Sequence, residues 1–86
     1  MKYIVYTSNR MDTLSNEVKI GEADNFEDAC QVLDKYLESI MHITTPYWRY
    51  SFCSGVTFID FGSWSRFGAI VPAESIEEVK GEESND

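Results

Sequence analysis

Residues 2–7 (KYIVYT) set apolar against polar positions with a period of two and are rich in β-branched and aromatic side chains, the pattern of a first strand. The turn-rich stretch 8–16 (SNRMDTLSN) predicts an exposed loop. Residues 17–22 (EVKIGE) alternate again, as a half-buried strand able to pair antiparallel with the first. The period then changes. From Phe26 the apolar side chains fall at Phe26, Ala29, Cys30, Leu33, Tyr36, Leu37, Ile40 and Met41, the buried stripe of an amphipathic helix. Asp24, three residues before Glu27, has capping-box spacing at its start; Pro46 ends it near Met41 or His42. Strand patterning returns in three runs, 47–53, 56–61 and 67–71, separated by turns at Ser54-Gly55 and 62–65 and closed by Pro72. These elements predict an α+β fold of order ββαβββ, a mainly antiparallel sheet with one amphipathic helix packed on one face. One domain is expected over residues 1–80, with Ile76 and Val79 docking a short turn and 81–86 forming an acidic, disordered tail.

Composition tests whether such a chain can hold a core. At 86 residues it buries only a little over about 60% of its unfolded surface, so its large side chains must be used well. Twelve aromatics supply that area, eight of them between Tyr47 and Val71. A single helix cannot cover Tyr47, Trp48, Tyr50, Trp64 and Phe67 together, which predicts a partly open sheet face. The N-terminal apolar run is too short for a signal peptide, and no stretch approaches the ~20 apolar residues of a membrane span. The expectation is a cytoplasmic protein with no membrane partner.

Charge narrows the function classes. Fifteen Asp and Glu against seven Lys and Arg leave a net −8, which argues against direct binding to DNA or RNA. The acids are localised: residues 22–38 hold six against Lys35, and residues 74–86 hold six against Lys80. On the helix, Glu27, Gln31, Asp34 and Glu38 follow at i, i+4, i+7 and i+11, a stripe opposite the apolar one, with Asp28 near its start. At ~1.5 Å per residue the acids are spaced by about 10 Å and 6 Å, comparable with phosphate steps along a nucleic-acid strand. The stripe suits a surface that imitates a polyanion and docks into a basic groove of a nucleic-acid-binding protein; the same stripe also suits plain solubility.

Candidate chemistry is sparse. Cys30 and Cys53 lie far apart, without CxxC or His/Cys metal spacing, and are read as reduced core residues; no cofactor and no metal are expected. A Cys–His pair with His42 would need an exposed thiol, and Cys30 faces the core stripe. Asp60 in FIDFG echoes a kinase tripeptide without the accompanying motifs, and is expected to pair with Arg49 or Arg66 across the strands. No catalytic residue is assigned. A second candidate binding surface is aromatic: Trp48, Tyr50, Trp64 and Arg66, residue types enriched in protein-binding hot spots, which also suit a homodimer.

An acidic chain with an N-terminal hairpin, the helix DNFEDACQVLDKYLESI, the aromatic segment TFIDFGSWSRF and an acidic tail resembles the small accessory proteins of bacteriophages and mobile elements. That class includes anti-CRISPR proteins and DNA mimics. The resemblance implies a non-enzymatic inhibitor in the host cytoplasm, and the charge pattern offers Glu27, Asp28, Asp34 and Glu38 as the partner-binding residues for that role.

Overall fold

In the computed structural model of the protein, which describes residues 2–43, 48–63 and 65–74, the chain runs β1 (Tyr3–Ser8), β2 (Val18–Ala23), α1 (Phe26–Ser39), β3 (Arg49–Cys53), β4 (Val56–Asp60) and β5 (Phe67–Pro72). The five strands form one antiparallel sheet of order β2-β1-β5-β4-β3, giving the expected α+β fold in ββαβββ order. The last strand, β5, sits at the centre, between β1 and β4.

Strand alternation divides the interior in two. On one face Val5, Ile59, Ile70 and the following Phe61 close on Ala29, Leu33 and Leu37 of α1. On the other, Tyr6, Val56, Phe58, Ala69 and Val71 form a second buried cluster, on the face away from α1. The loop after β1 covers it. Met11 and Leu14 pack down onto this cluster, so the loop, exposed as expected at Asn9, Arg10, Asp12, Thr13 and Asn16, also serves as a lid. Its anchor is Ser8, fully buried. The Ser8 hydroxyl donates to the carbonyls of Thr13 (3.1 Å) and Ser15 (3.3 Å) and accepts from the N–H groups of Ser15 (3.1 Å) and Arg10 (3.3 Å).

The helix lies over β2, β1 and β5. Two glycines let it approach. A methyl group at Gly68 would stand 2.5 Å from a Leu33 methyl, and one at Gly21 2.6 Å from a Val32 methyl. Ile20 is the extra residue of a bulge where the β1–β2 register shifts, and it packs against the helix-side cluster.

The N-cap is Asn25, one residue later than the Asp24 expected from spacing. Asn25 has extended backbone (φ −147°, ψ 167°); its Oδ1 accepts from the Asp28 N–H at 2.8 Å and its Nδ2 donates to the Asp28 carboxylate at 3.0 Å. Both residues are good caps by type, and the side chain that reaches the third helical amide decides. The helix also ends earlier, at Ser39. His42 takes a left-handed conformation (φ 59°), and the Ile43 N–H donates to the Leu37 carbonyl at 2.8 Å. The His42 conformation closes the helix before Pro46, which lies outside the described residues, as do Tyr47, Trp64 and 75–86 with the expected Ile76–Val79 turn. Since glycine holds a left-handed conformation without steric cost, His42→Gly is expected to raise stability by about 0.5–1 kcal/mol, a gain of roughly 2–8 °C in thermal midpoint.

Candidate functional site

The capped start of α1 fixes the rotation of its two stripes. Ala29, Leu33 and Leu37 are buried, while Glu27, Gln31, Asp34 and Glu38 are all exposed along the outer face. Among the described residues none of these three carboxylates forms an ion pair. Acids elsewhere do: Glu22 is bracketed by Lys2 (2.6 Å) and Lys19, and Asp12 meets Arg10 at 2.9 Å. Hydrogen bonds from Lys19 and Lys2 hold the Glu22 carboxyl down to about 2. Asp28 differs from its neighbours on the stripe, because its carboxylate is engaged by the Asn25 cap.

The register of β3 on β4 places Tyr50 beside Ile59 and Phe52 beside Thr57, which puts Trp48, Tyr50 and Phe52 on the helix side of the sheet. The open surface is therefore on the same face as α1, over the half of the sheet the helix does not cover. The rings form a chain. Tyr3 meets Phe26 edge-on at 6.1 Å, Phe26 meets Tyr50 at 6.4 Å, and Tyr50 meets Trp48 edge-on at 6.3 Å, with Trp48 Nε1–H donating to Tyr50 Oη at 2.6 Å.

Two hollows lie beside the Trp48–Tyr50 pair. One, of about 330 Å³, is lined by Glu27, Cys30, Gln31, Asp34 and Trp48. The other, about 400 Å³, is apolar and bounded by Tyr3, Phe26, Tyr50, Phe52, Ile70 and Pro72. Glu27, Gln31 and Asp34 of the acidic stripe and Trp48 are thus opposite walls of one seam, while Glu38 lines a separate hollow with Lys35, Ser39 and His42. A carboxylate wall facing an indole suits a lysine or arginine side chain, which gains from both charge and the ring face.

Cys30 lines this seam as a protonated thiol. Burial pushes its pKa up, a hydrogen bond with Tyr50 opposes that shift, and the nearby Glu27 carboxylate adds to it. His42 lies beyond the far end of α1, more than about two helical turns from Cys30, and Cys53 packs against the cluster on the opposite face of the sheet. The structure therefore assembles no Cys–His pair among the described residues. Both thiols are free.

Two other expected arrangements are different. Asp60 stands opposite Arg49 in register, yet its Oδ1 accepts the Gly62 N–H at 3.0 Å in a local turn, and neither Arg49 nor Arg66 forms an ion pair with it among the described residues. A short Asp side chain at a strand end bonds its own backbone two residues on more readily than it spans the ladder. The Arg66 guanidinium instead ties β5 to the β1 side, donating to Thr7 Oγ1 at 2.7 Å and the Asn16 carbonyl at 3.0 Å. Of the expected aromatic patch, Trp48 and Tyr50 come together, Arg66 is engaged at the lid, and Trp64 lies outside the described residues.

Phe26 and Phe52 complete the surface and were not among the expected patch residues. Phe52 was readable, since it follows Trp48 and Tyr50 at i+2 and shares their face. Phe26 begins the apolar stripe but sits at the helix start, where the sheet beneath it is open. Among the described residues no group of three His, Cys, Asp or Glu side chains is placed to hold a metal, and no helix is long and apolar enough to cross a membrane. Comparison with models of known protein families, with curated proteins and with solved structures finds no match to this chain.

Proposed function

We propose that the protein is a non-enzymatic binding module that occupies a basic, nucleic-acid-binding surface of a partner protein, in the manner of a phage-type inhibitor. The observation that carries this reading is the line of exposed carboxylates, Glu27, Asp34 and Glu38, left without cation partners among the described residues while Glu22 and Asp12 are paired. An unpaired row of like charges destabilises a helix by a few tenths of a kcal/mol per i, i+4 pair, and Asp34 and Glu38 are such a pair. Partner lysines or arginines would relieve that repulsion, and Trp48 across the seam offers a ring for one of them to stack on. Association through such a face is steered by charge and weakens as salt rises.

The test is capture from a bacterial lysate on the tagged protein, with bound proteins identified by mass spectrometry. The expected result is a basic nucleic-acid-binding protein, recovered at low salt and displaced by high salt or by excess duplex DNA. The triple variant Glu27→Gln, Asp34→Asn, Glu38→Gln should lose that protein by about tenfold or more, a change of ~1.4 kcal/mol. Undiminished capture by the triple variant overturns the reading.

A further inference from the structure

The sheet ends in two unlike edges. Along β2, Lys19 and Glu22 are ion-paired with Lys2 beside them, and the bulge at Ile20 adds local twist. Charge and bulging are the devices by which an edge strand resists pairing with another chain. The β3 edge has no bulge and a single charge, Arg49, which alternates onto the face away from Tyr50 and Phe52. Its large side chains are uncovered, Tyr50 at 53% and Phe52 at 76% exposure, and residues 48–63 hold only Arg49 and Asp60 as charged groups. We infer that β3 is the strand through which two copies of this chain pair, antiparallel about a two-fold axis at Ser51, to make a continuous ten-stranded sheet.

The hairpin turn determines which backbone groups are available. Ser54 (φ 54°) and Gly55 (φ 81°) form a two-residue turn closed by the Cys53–Val56 pair. Arg49, Ser51 and Cys53 therefore direct their N–H and C=O groups at β4, and Tyr50 and Phe52 direct theirs at the outer edge, which no other described strand pairs with. A second β3 centred on Ser51 sets Tyr50 against Phe52 of the partner subunit, and the reverse, each pair exchanging two backbone hydrogen bonds. The two Ser51 residues then face one another in the closely spaced, non-hydrogen-bonded position.

Charge favours a second copy as the occupant, and the exposed rings supply part of the area it needs. With about 150–250 Å² available per aromatic side chain, the exposed parts of Tyr50 and Phe52 from two copies provide about 500 Å², roughly half of the ~1,000 Å² that marks a specific interface. The paired strand backbones and the Arg49 and Ser51 side chains add to that. The chain carries −8, and this hairpin is the stretch where two copies meet without bringing acids together. Because the axis is perpendicular to the sheet, both helices fall on one face, and each copy's Glu27–Asp34–Trp48 seam remains open beside the joined aromatic floor.

Sedimentation equilibrium across the micromolar range tests the pairing on the full chain. The wild type is expected at twice the single-chain mass, and Phe52→Lys at the single-chain mass with an unchanged circular dichroism spectrum. Val18→Lys, on the opposite edge, should keep the doubled mass. Ser51→Cys should form a disulfide between copies under mild oxidation, mapped to residue 51 by peptide mass spectrometry. A wild type at single-chain mass throughout, a Phe52→Lys variant that stays doubled, or Ser51→Cys that fails to link to itself overturns the proposal. These outcomes are independent of the acidic face, which the triple variant probes.

Discussion

Gly68→Val is expected to remove about 3 kcal/mol of folding stability and to lower the thermal midpoint by roughly 12–24 °C. The cause is the close approach of α1 to β5: a Cβ at this position falls 2.5 Å from a Leu33 methyl, and Leu33 is itself fully buried against the helix-side cluster, with little room to yield. Valine favours strands, so a helix packed at ordinary distance would make the same change neutral or slightly stabilising. Thermal and denaturant unfolding followed by circular dichroism separates the two. A double-mutant cycle adds detail: Leu33→Ala alone should cost about 2–5 kcal/mol, yet combined with Gly68→Val the costs should fall well short of additive, because the alanine vacates the space the valine needs. Wild-type stability in Gly68→Val would mean that α1 does not pack where the structure puts it.

Phe58→Ala should be as severe, at about 3–5 kcal/mol, and for a different reason. Phe58 is fully buried on the face away from α1, where a loop containing Met11 and Leu14 packs on its cluster. If that loop were the exposed connection its composition suggests, truncating Phe58 would remove a half-open ring and cost far less. The size of the loss in a denaturant titration therefore measures the lid. Faster hydrogen exchange in residues 9–17 of the variant, with α1 still protected, would localise the damage to that side.

Much of the fold was legible because each element carries its own period. Alternation in KYIVYT and EVKIGE, the 3.6-residue stripe from Phe26, and Ser54-Gly55 between two alternating runs correspond to β1, β2, α1 and the β3–β4 hairpin. What could not be read was the arrangement of those elements in space. Met11 and Leu14 are isolated apolar residues in a polar stretch, with no period to mark them as buried; the cover they provide depends on Ser8 folding the loop back. The acidic stripe and the Trp48 and Tyr50 pair were both identified, but as separate surfaces. Sharing one seam follows from strand order, since β3 lies at the sheet edge on the side α1 leaves open, and local sequence does not encode strand order. Residue type alone places Arg66 with the aromatics, whereas its reach to Thr7 and Asn16 joins residues 50 or more positions apart.

The central place of β5 governs the order in which the protein can assemble. The β1–β2 hairpin with α1, and the β3–β4 hairpin, are each built from neighbours in sequence and can form early. Nothing in the sheet joins these halves except β5, whose Ile70 pairs with Val5 on one side and Thr57 on the other. On the ribosome it is the last of these five strands to emerge. Until it does, β1 and β4 each lack the neighbour that joins them, so the two halves of the sheet become one only when a single strand pairs with both, through the longest-range contacts of the fold.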